Sequence, residues 1–165
     1  MKFFKKGELK LLWPFYLEIL VSSIFVFFPV FMIIYFISQG FSFFQISLLT
    51  TVLLLFRILF EIPTGAIADI YGRKFSVLLG SLLGGIAFFL ILFFNDFYSL
   101  IFIFALLGFA GTFESGARES WVADLIKKEK KNLLHDYFVK IDSIGSFGLV
   151  LSGIIGALLV KQFGT

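Results

Sequence analysis

The sequence predicts an all-α membrane protein with five transmembrane helices. Hydrophobic residues make up 59% of the chain and charged residues only 15%, with a mean hydropathy of +1.02. A water-soluble fold has nowhere to hide that much apolar surface. Five apolar runs reach the length of about 20 residues that a helix needs to cross the hydrocarbon core, where lipid cannot satisfy an open backbone. Short gaps holding Gly, Asn, Asp or Lys separate them, so consecutive spans are expected to be antiparallel.

The first span covers about 11–37. A secretory signal has an apolar core of only about 7 to 15 residues before a small-residue cleavage site. This run is longer and ends in Ser38-Gln39-Gly40, so it reads as a retained helix, kinked by Pro14 and Pro29. The second span, 43–69, carries Pro63, and the third, 74–95, has no charge between Phe75 and Phe94. The fourth, 98–124, and the fifth, 138–161, follow on either side of a lysine-rich gap at Lys127 to Lys131. Gly80 and Gly84 in the third span, and Gly148, Ser152 and Gly156 in the fifth, repeat small residues at four-residue spacing, the pattern of close helix packing in lipid.

Positive residues set the orientation, because basic loops stay in the cytoplasm. Lys2, Lys5, Lys6 and Lys10 precede the first span, Arg73 and Lys74 follow the second, and the Lys127 to Lys131 run follows the fourth. The gaps around Gln39 and Asp96 have no basic residue. The N-terminus is therefore expected inside, and the net charge of +3 reads as a topology signal and not as a nucleic-acid surface. The chain contains no Cys and a single His, His135, which excludes disulfides, thiolate metal sites and an HExxH zinc helix. No cofactor or metal is implied.

Ionisable residues inside the runs are Glu18, Arg57, Glu61, Glu114, Arg118 and Glu119, with Asp142 near the start of the fifth. Each charge at a helix centre costs roughly 3 kcal/mol on insertion scales, so these groups must be paired, neutralised or wet. Arg57 and Glu61 lie four apart, as do Glu114 and Arg118, and each pair is expected to share a helix face. All six are candidates for a substrate or proton pathway.

The stretch Gly65-Ala-Ile-Ala-Asp69-Ile-Tyr-Gly72-Arg73-Lys74 resembles motif A of the major facilitator superfamily of secondary transporters, GxxxD(R/K)xGRR. Gly65, Asp69, Gly72 and Arg73 match, Lys74 is conservative, and Ile70 stands where the family has a basic residue. Arg57, Glu61, Pro63 and Thr64 resemble the second helix of prokaryotic members. A motif C-like run, Gly148 to Ala157, matches only loosely and lacks its Pro.

The resemblance implies the following. Asp69 contacts a helix start in the other half of the transporter, Arg73 pairs with an acid at the inner end of the fourth helix, and Asp124 is the candidate acid; together they form a conformational latch. The partners are the bilayer, a small-molecule or ion substrate, and a second, six-helix half in the same or a separate chain. The location is the cytoplasmic membrane of a prokaryote. Against a twelve-helix member, five spans make this the N-terminal portion, without the sixth helix, whether as a fragment, a truncated frame or one piece of a split transporter. Transport by alternating access is the expected function, and a non-transporting scaffold or channel subunit is the alternative; the clustering of charge further suggests that Glu114, with Glu61 or Glu119, exchanges protons during the cycle. An enzyme is not expected: a membrane alcohol phosphotransferase needs GxxxDxxxD, and Arg73 stands where the second Asp must be.

Overall fold

The computed structural model describes residue 4 and residues 7–129 and 133–163. Lys2, Lys5, Lys6, Lys130 and Lys131, part of the topology signal, lie outside the described residues. The elements are α1 (Glu8–Ile24), a 3₁₀ turn (Phe25–Phe27), α2 (Phe28–Ser38), α3 (Phe43–Tyr71), α4 (Arg73–Ile91), α5 (Phe97–Glu114), α6 (Ala117–Glu129) and α7 (Leu134–Phe163). Among the described residues, five stretches are long and apolar enough to cross a membrane: Glu8–Phe27, Phe43–Tyr71, Arg73–Ile91, Phe97–Lys128 and Leu134–Leu159. The chain is an all-α membrane protein.

The helix ends show how the sequence punctuates its apolar runs. Ser42 and Gln45 form a capping box at the start of α3: the Gln45 amide donates to the Ser42 hydroxyl at 3.3 Å, and the Ser42 amide donates to Gln45 Oε1 at 2.9 Å. Asp96 caps α5, its carboxylate accepting from the Ser99 amide at 2.9 Å. Hydrogen bonds from the Ser99 side chain and backbone hold the Asp96 carboxyl below its usual range. Gly72 alone joins α3 to α4, at φ 96°, a backbone state that L side chains rarely adopt.

Three spans depart from the boundaries expected above. The run 11–37 is not one helix: a 3₁₀ turn interrupts it, and Pro29 sits in the first turn of α2, where its missing N–H costs nothing. Pro14 and Pro63, by contrast, lie inside continuous helices. Next to Pro63, the Thr64 hydroxyl donates to the carbonyls of Phe60 and Glu61 at 2.7 and 3.2 Å. The run 98–124 is split at Ser115–Gly116 and continues to Glu129. The last helix begins at Leu134, one turn before the expected start, because that turn holds His135 and Asp136 and escapes a hydropathy reading.

The chain divides into two compact units, each with its own core. In one, α1 packs along α7. Leu12, Tyr16, Leu133 and Tyr137 are buried there, with the two tyrosine rings 5.6 Å apart. The small-residue face of α7 permits the approach: a Cβ on Gly148 would lie 2.6 Å from Ser23 Cβ, Ser152 is buried, and a Cβ on Gly156 would lie 3.4 Å from Phe27 Cβ. In the other unit, residues 35–125, α5 packs against both α3 and α4. Phe36, Leu49, Leu100, Ile103, Phe104 and Phe113 are buried in it. Gly80 brings α4 close to α5, since a Cβ there would lie 2.9 Å from the Ala110 carbonyl oxygen; Gly84 is looser, at 3.9 Å from Ala110 Cβ. The tightest approach is at Gly108, where a Cβ would overlap the Leu53 carbonyl of α3. Large apolar side chains such as Ile58, Ile62, Phe102 and Tyr98 are exposed, as expected of surfaces that face acyl chains.

Candidate functional site

The motif turn is built by two helix ends meeting at Gly72. Because one residue joins them, Arg73 opens α4 while Asp69 still lies in the last turn of α3. Arg73 Nη1 forms an ion pair and hydrogen bond with Asp124 Oδ2 and also donates to the Ser120 carbonyl at 3.2 Å, so α6 supplies both partners. A charge-assisted bond of this kind is stronger than a neutral one, though partial exposure weakens it. Trp121, also on α6, packs on Ala68, Val77 and Ala117. Ala68, Asp69, Gly72, Arg73, Lys74, Trp121 and Asp124 line an open pocket of 470 Å³. The Asp69 carboxylate and the Lys74 side chain are exposed at this turn.

A second polar cluster lies at the α5–α6 junction. Arg118 Nη2 donates to Glu114 Oε2 at 2.6 Å, spanning the break between the helices. Ser81 of α4 donates to the other Glu114 oxygen at 2.6 Å, and Ser115 donates to Glu61 Oε1 of α3 at 3.1 Å. Serines from α4 and α5 thus tie both acids into one polar region. The arrangement supplies carboxylates with fixed hydrogen-bond partners, chemistry suited to holding a cation or passing a proton.

The placement of the other candidates is uneven. Four-residue spacing does not bring Arg57 and Glu61 into an ion pair: both are exposed, and among the described residues no ion pair joins them. The reason is that Glu61 turns toward Ser115 instead. Glu119 is exposed at the start of α6, and Glu18 is half-buried on α1 in the other unit. Among the described residues, no group of three or more His, Cys, Asp or Glu is arranged to hold a metal.

Sequence reasoning missed the most deeply buried charges. Lys140 donates to both oxygens of Glu8, at 2.6 and 2.7 Å, and Tyr16 donates to Glu8 Oε1 at 2.6 Å. Glu8 is 1% exposed, and the Lys140 ammonium lies 5.3 Å from the Phe4 ring centroid. The available signal was a lysine two residues into the fifth apolar run.

Comparisons with known proteins bear on the family of the chain. An MFS-type transporter of uncharacterized function from Methanocaldococcus jannaschii is 25% identical over 133 residues, covering 81% of this chain and 34% of that protein. A second such transporter, YxaM from Bacillus subtilis, is 44% identical over 45 residues, covering 27% of this chain and 11% of its own. The chain therefore spans about a third of the length of the archaeal relative. No solved structure matches it. The family model for the Major Facilitator Superfamily matches residues 16–165, nearly the whole chain, and with the motif turn and five apolar helices already in place this chain belongs to the Major Facilitator Superfamily.

Proposed function

We propose that this chain is the N-terminal portion of a secondary active transporter that moves a small solute across a prokaryotic cytoplasmic membrane by alternating access. The single observation that carries the proposal is the Arg73–Asp124 pair at the one-residue turn. It ties the start of α4 to α6 while the carboxylate of Asp69 stays exposed beside it. An exposed acid next to a fixed cation is suited to receive the positive end of a helix dipole from a second half. In this reading Asp69, Arg73 and Asp124 form a latch that holds one conformation, and the latch opens when the halves rock. Gly65, Gly72 and Lys74 complete the turn. Glu114, Arg118 and Glu61 form the polar site of the pathway, with Glu114 the proton-exchanging group; Arg57, Glu119 and Glu18 are secondary candidates. The chain is then not an enzyme, and its partners are lipid, a small molecule or ion, and a six-helix C-terminal half.

The test is a charge exchange in the complete transporter. Arg73→Asp and Asp124→Arg are each expected to lower solute uptake into proteoliposomes severalfold, and the double replacement to recover most of it. A double variant no better than the worse single one defeats the latch. Uptake by Glu114→Gln that still follows an imposed pH gradient removes Glu114 from proton exchange.

A further inference from the structure

The stretch Phe97–Lys128 is apolar enough to form one span, yet it is two helices. No proline causes the break. Ser115 ends α5 with ψ 121°, and Gly116 takes φ 67° before α6 begins. Interrupting a helix within an apolar span strands backbone polar groups, and here a short local bond recovers part of them. The Ala117 amide donates to the Ser115 carbonyl at 2.7 Å, while ordinary helical bonds resume on either side, from the Ser115 amide to the Gly111 carbonyl at 3.2 Å and from the Ser120 amide to the Gly116 carbonyl at 3.1 Å.

Packing does not require glycine at this joint. A Cβ added at Gly116, or one turn earlier at Gly111, would meet no atom within 4 Å. This contrasts with Gly108 and Gly80, where a Cβ would run into a neighbouring helix. At Gly116 the need is therefore conformational: a left-handed backbone with open space around it.

Beyond the joint Trp121 packs α6 on Ala68 and Val77, but the contacts across the break itself are polar. The Glu114 carboxylate bridges from Ser81 on α4 to Arg118 across the break, and Ser115 itself reaches Glu61 on α3. Beyond the joint, α6 carries the Ser120 carbonyl and the Asp124 carboxylate, both of which accept from Arg73. We infer that Ser115–Gly116 is a pivot for α6, that the Glu114 carboxylate is the catch that fixes it, and that rotation at this pivot is transmitted along α6 to the Arg73 pair. This inference does not rest on the transport reading, because it concerns the motion of one helix and is read without any solute.

At 1.5 Å per residue, Lys127 lies about 15 Å along α6 from Ala117, so a swing of about 20° displaces it by about 5 Å. The cysteine-free sequence allows spin labels to be placed cleanly. Labels at Phe102→Cys and Lys127→Cys bracket the pivot, and labels at Leu55→Cys and Phe102→Cys, on α3 and α5, report whether the helices that frame it remain packed. Distances are measured by double electron–electron resonance on the chain in lipid nanodiscs. Glu114→Gln and Arg118→Gln are each expected to broaden the 102–127 distribution, or to shift it by several ångströms, with the 55–102 distance unchanged. Gly116→Ala is expected to shift the 102–127 mean toward that of a continuous helix. An unchanged 102–127 distribution in all three variants overturns the pivot. Equal broadening of both label pairs in Glu114→Gln and Arg118→Gln also overturns it, because Glu114 then acts as general packing support. Should Glu114→Gln fail to fold, Ser81→Ala removes the α4 tie alone and is held to the same two criteria.

Discussion

Glu8 and Lys140 place opposite charges where almost no water reaches, 132 residues apart in sequence. Burying two ions is expensive, and their attraction offsets that cost only when the remaining hydrogen-bond capacity is met. Here Lys140 reaches both carboxylate oxygens and Tyr16 adds a third donor. Removing one partner leaves an uncompensated charge, so Glu8→Gln and Lys140→Met are each expected to lower stability by about 3 to 5 kcal/mol. The double variant should lie much nearer the parent, as apolar or neutral replacements of a whole buried pair often do. Reversible unfolding in mixed micelles would give the four stabilities, and purely additive losses would show that the two charges do not interact. This pair was illegible in the sequence because nothing local connects its members. Arg73 and Asp124 are 51 residues apart and were legible only through the motif, which assigns them adjoining helix ends. Arg57 and Glu61 illustrate the opposite error, since spacing on one helix brings side chains within reach but does not decide which neighbour wins.

At the scale of elements, hydropathy anticipated the five apolar helices found among the described residues but little about their ends. Gly40, Asp96 and the Gly72 turn were readable because each gap is a distinct chemical signal, and Asp96 shows the mechanism. Its carboxylate accepts hydrogen bonds from Ser99 and is held below its usual pKa range. A depressed acid contributes stability that is present above its unfolded pKa and is lost as pH falls through the folded value. The protection factor of the Ser99 amide, with the intrinsic slowing of exchange in acid divided out, should therefore fall selectively, relative to the rest of α5, as the medium is acidified through that range. Asp96→Asn should abolish this pH dependence. Equal pH response in the two proteins would show that the cap is not titrating. Breaks inside the apolar runs were harder to foresee. Pro14 and Pro63 sit in helices that continue, while the fourth run parts at Ser115–Gly116 without any proline. A proline inside a helix removes a single backbone hydrogen bond, and the helices at Pro14 and Pro63 continue through that loss; the Ser115–Gly116 break is held by contacts from α3 and α4 that the local sequence does not reveal.

For the molecule as a whole, the two units each bury a modest core and leave long apolar faces exposed, a distribution that makes sense only with lipid or further protein around it. The basic residues predict which ends lie in the cytoplasm. In sealed right-side-out vesicles, Gln39→Cys should react with a membrane-impermeant maleimide, and Lys74→Cys should react only after the vesicles are opened. The reverse pattern would invert the topology and undo the cytoplasmic assignment of the motif turn. The single residue at Gly72 also bears on biosynthesis. A connection this short leaves no slack for α3 to settle in the bilayer while α4 waits outside, so the two should leave the translocation channel together as one helical hairpin. A nascent chain long enough for residue 91 to have cleared the ribosomal tunnel should hold a hairpin already released into lipid, whereas one in which only residue 71 has cleared it should hold α3 still beside the channel wall.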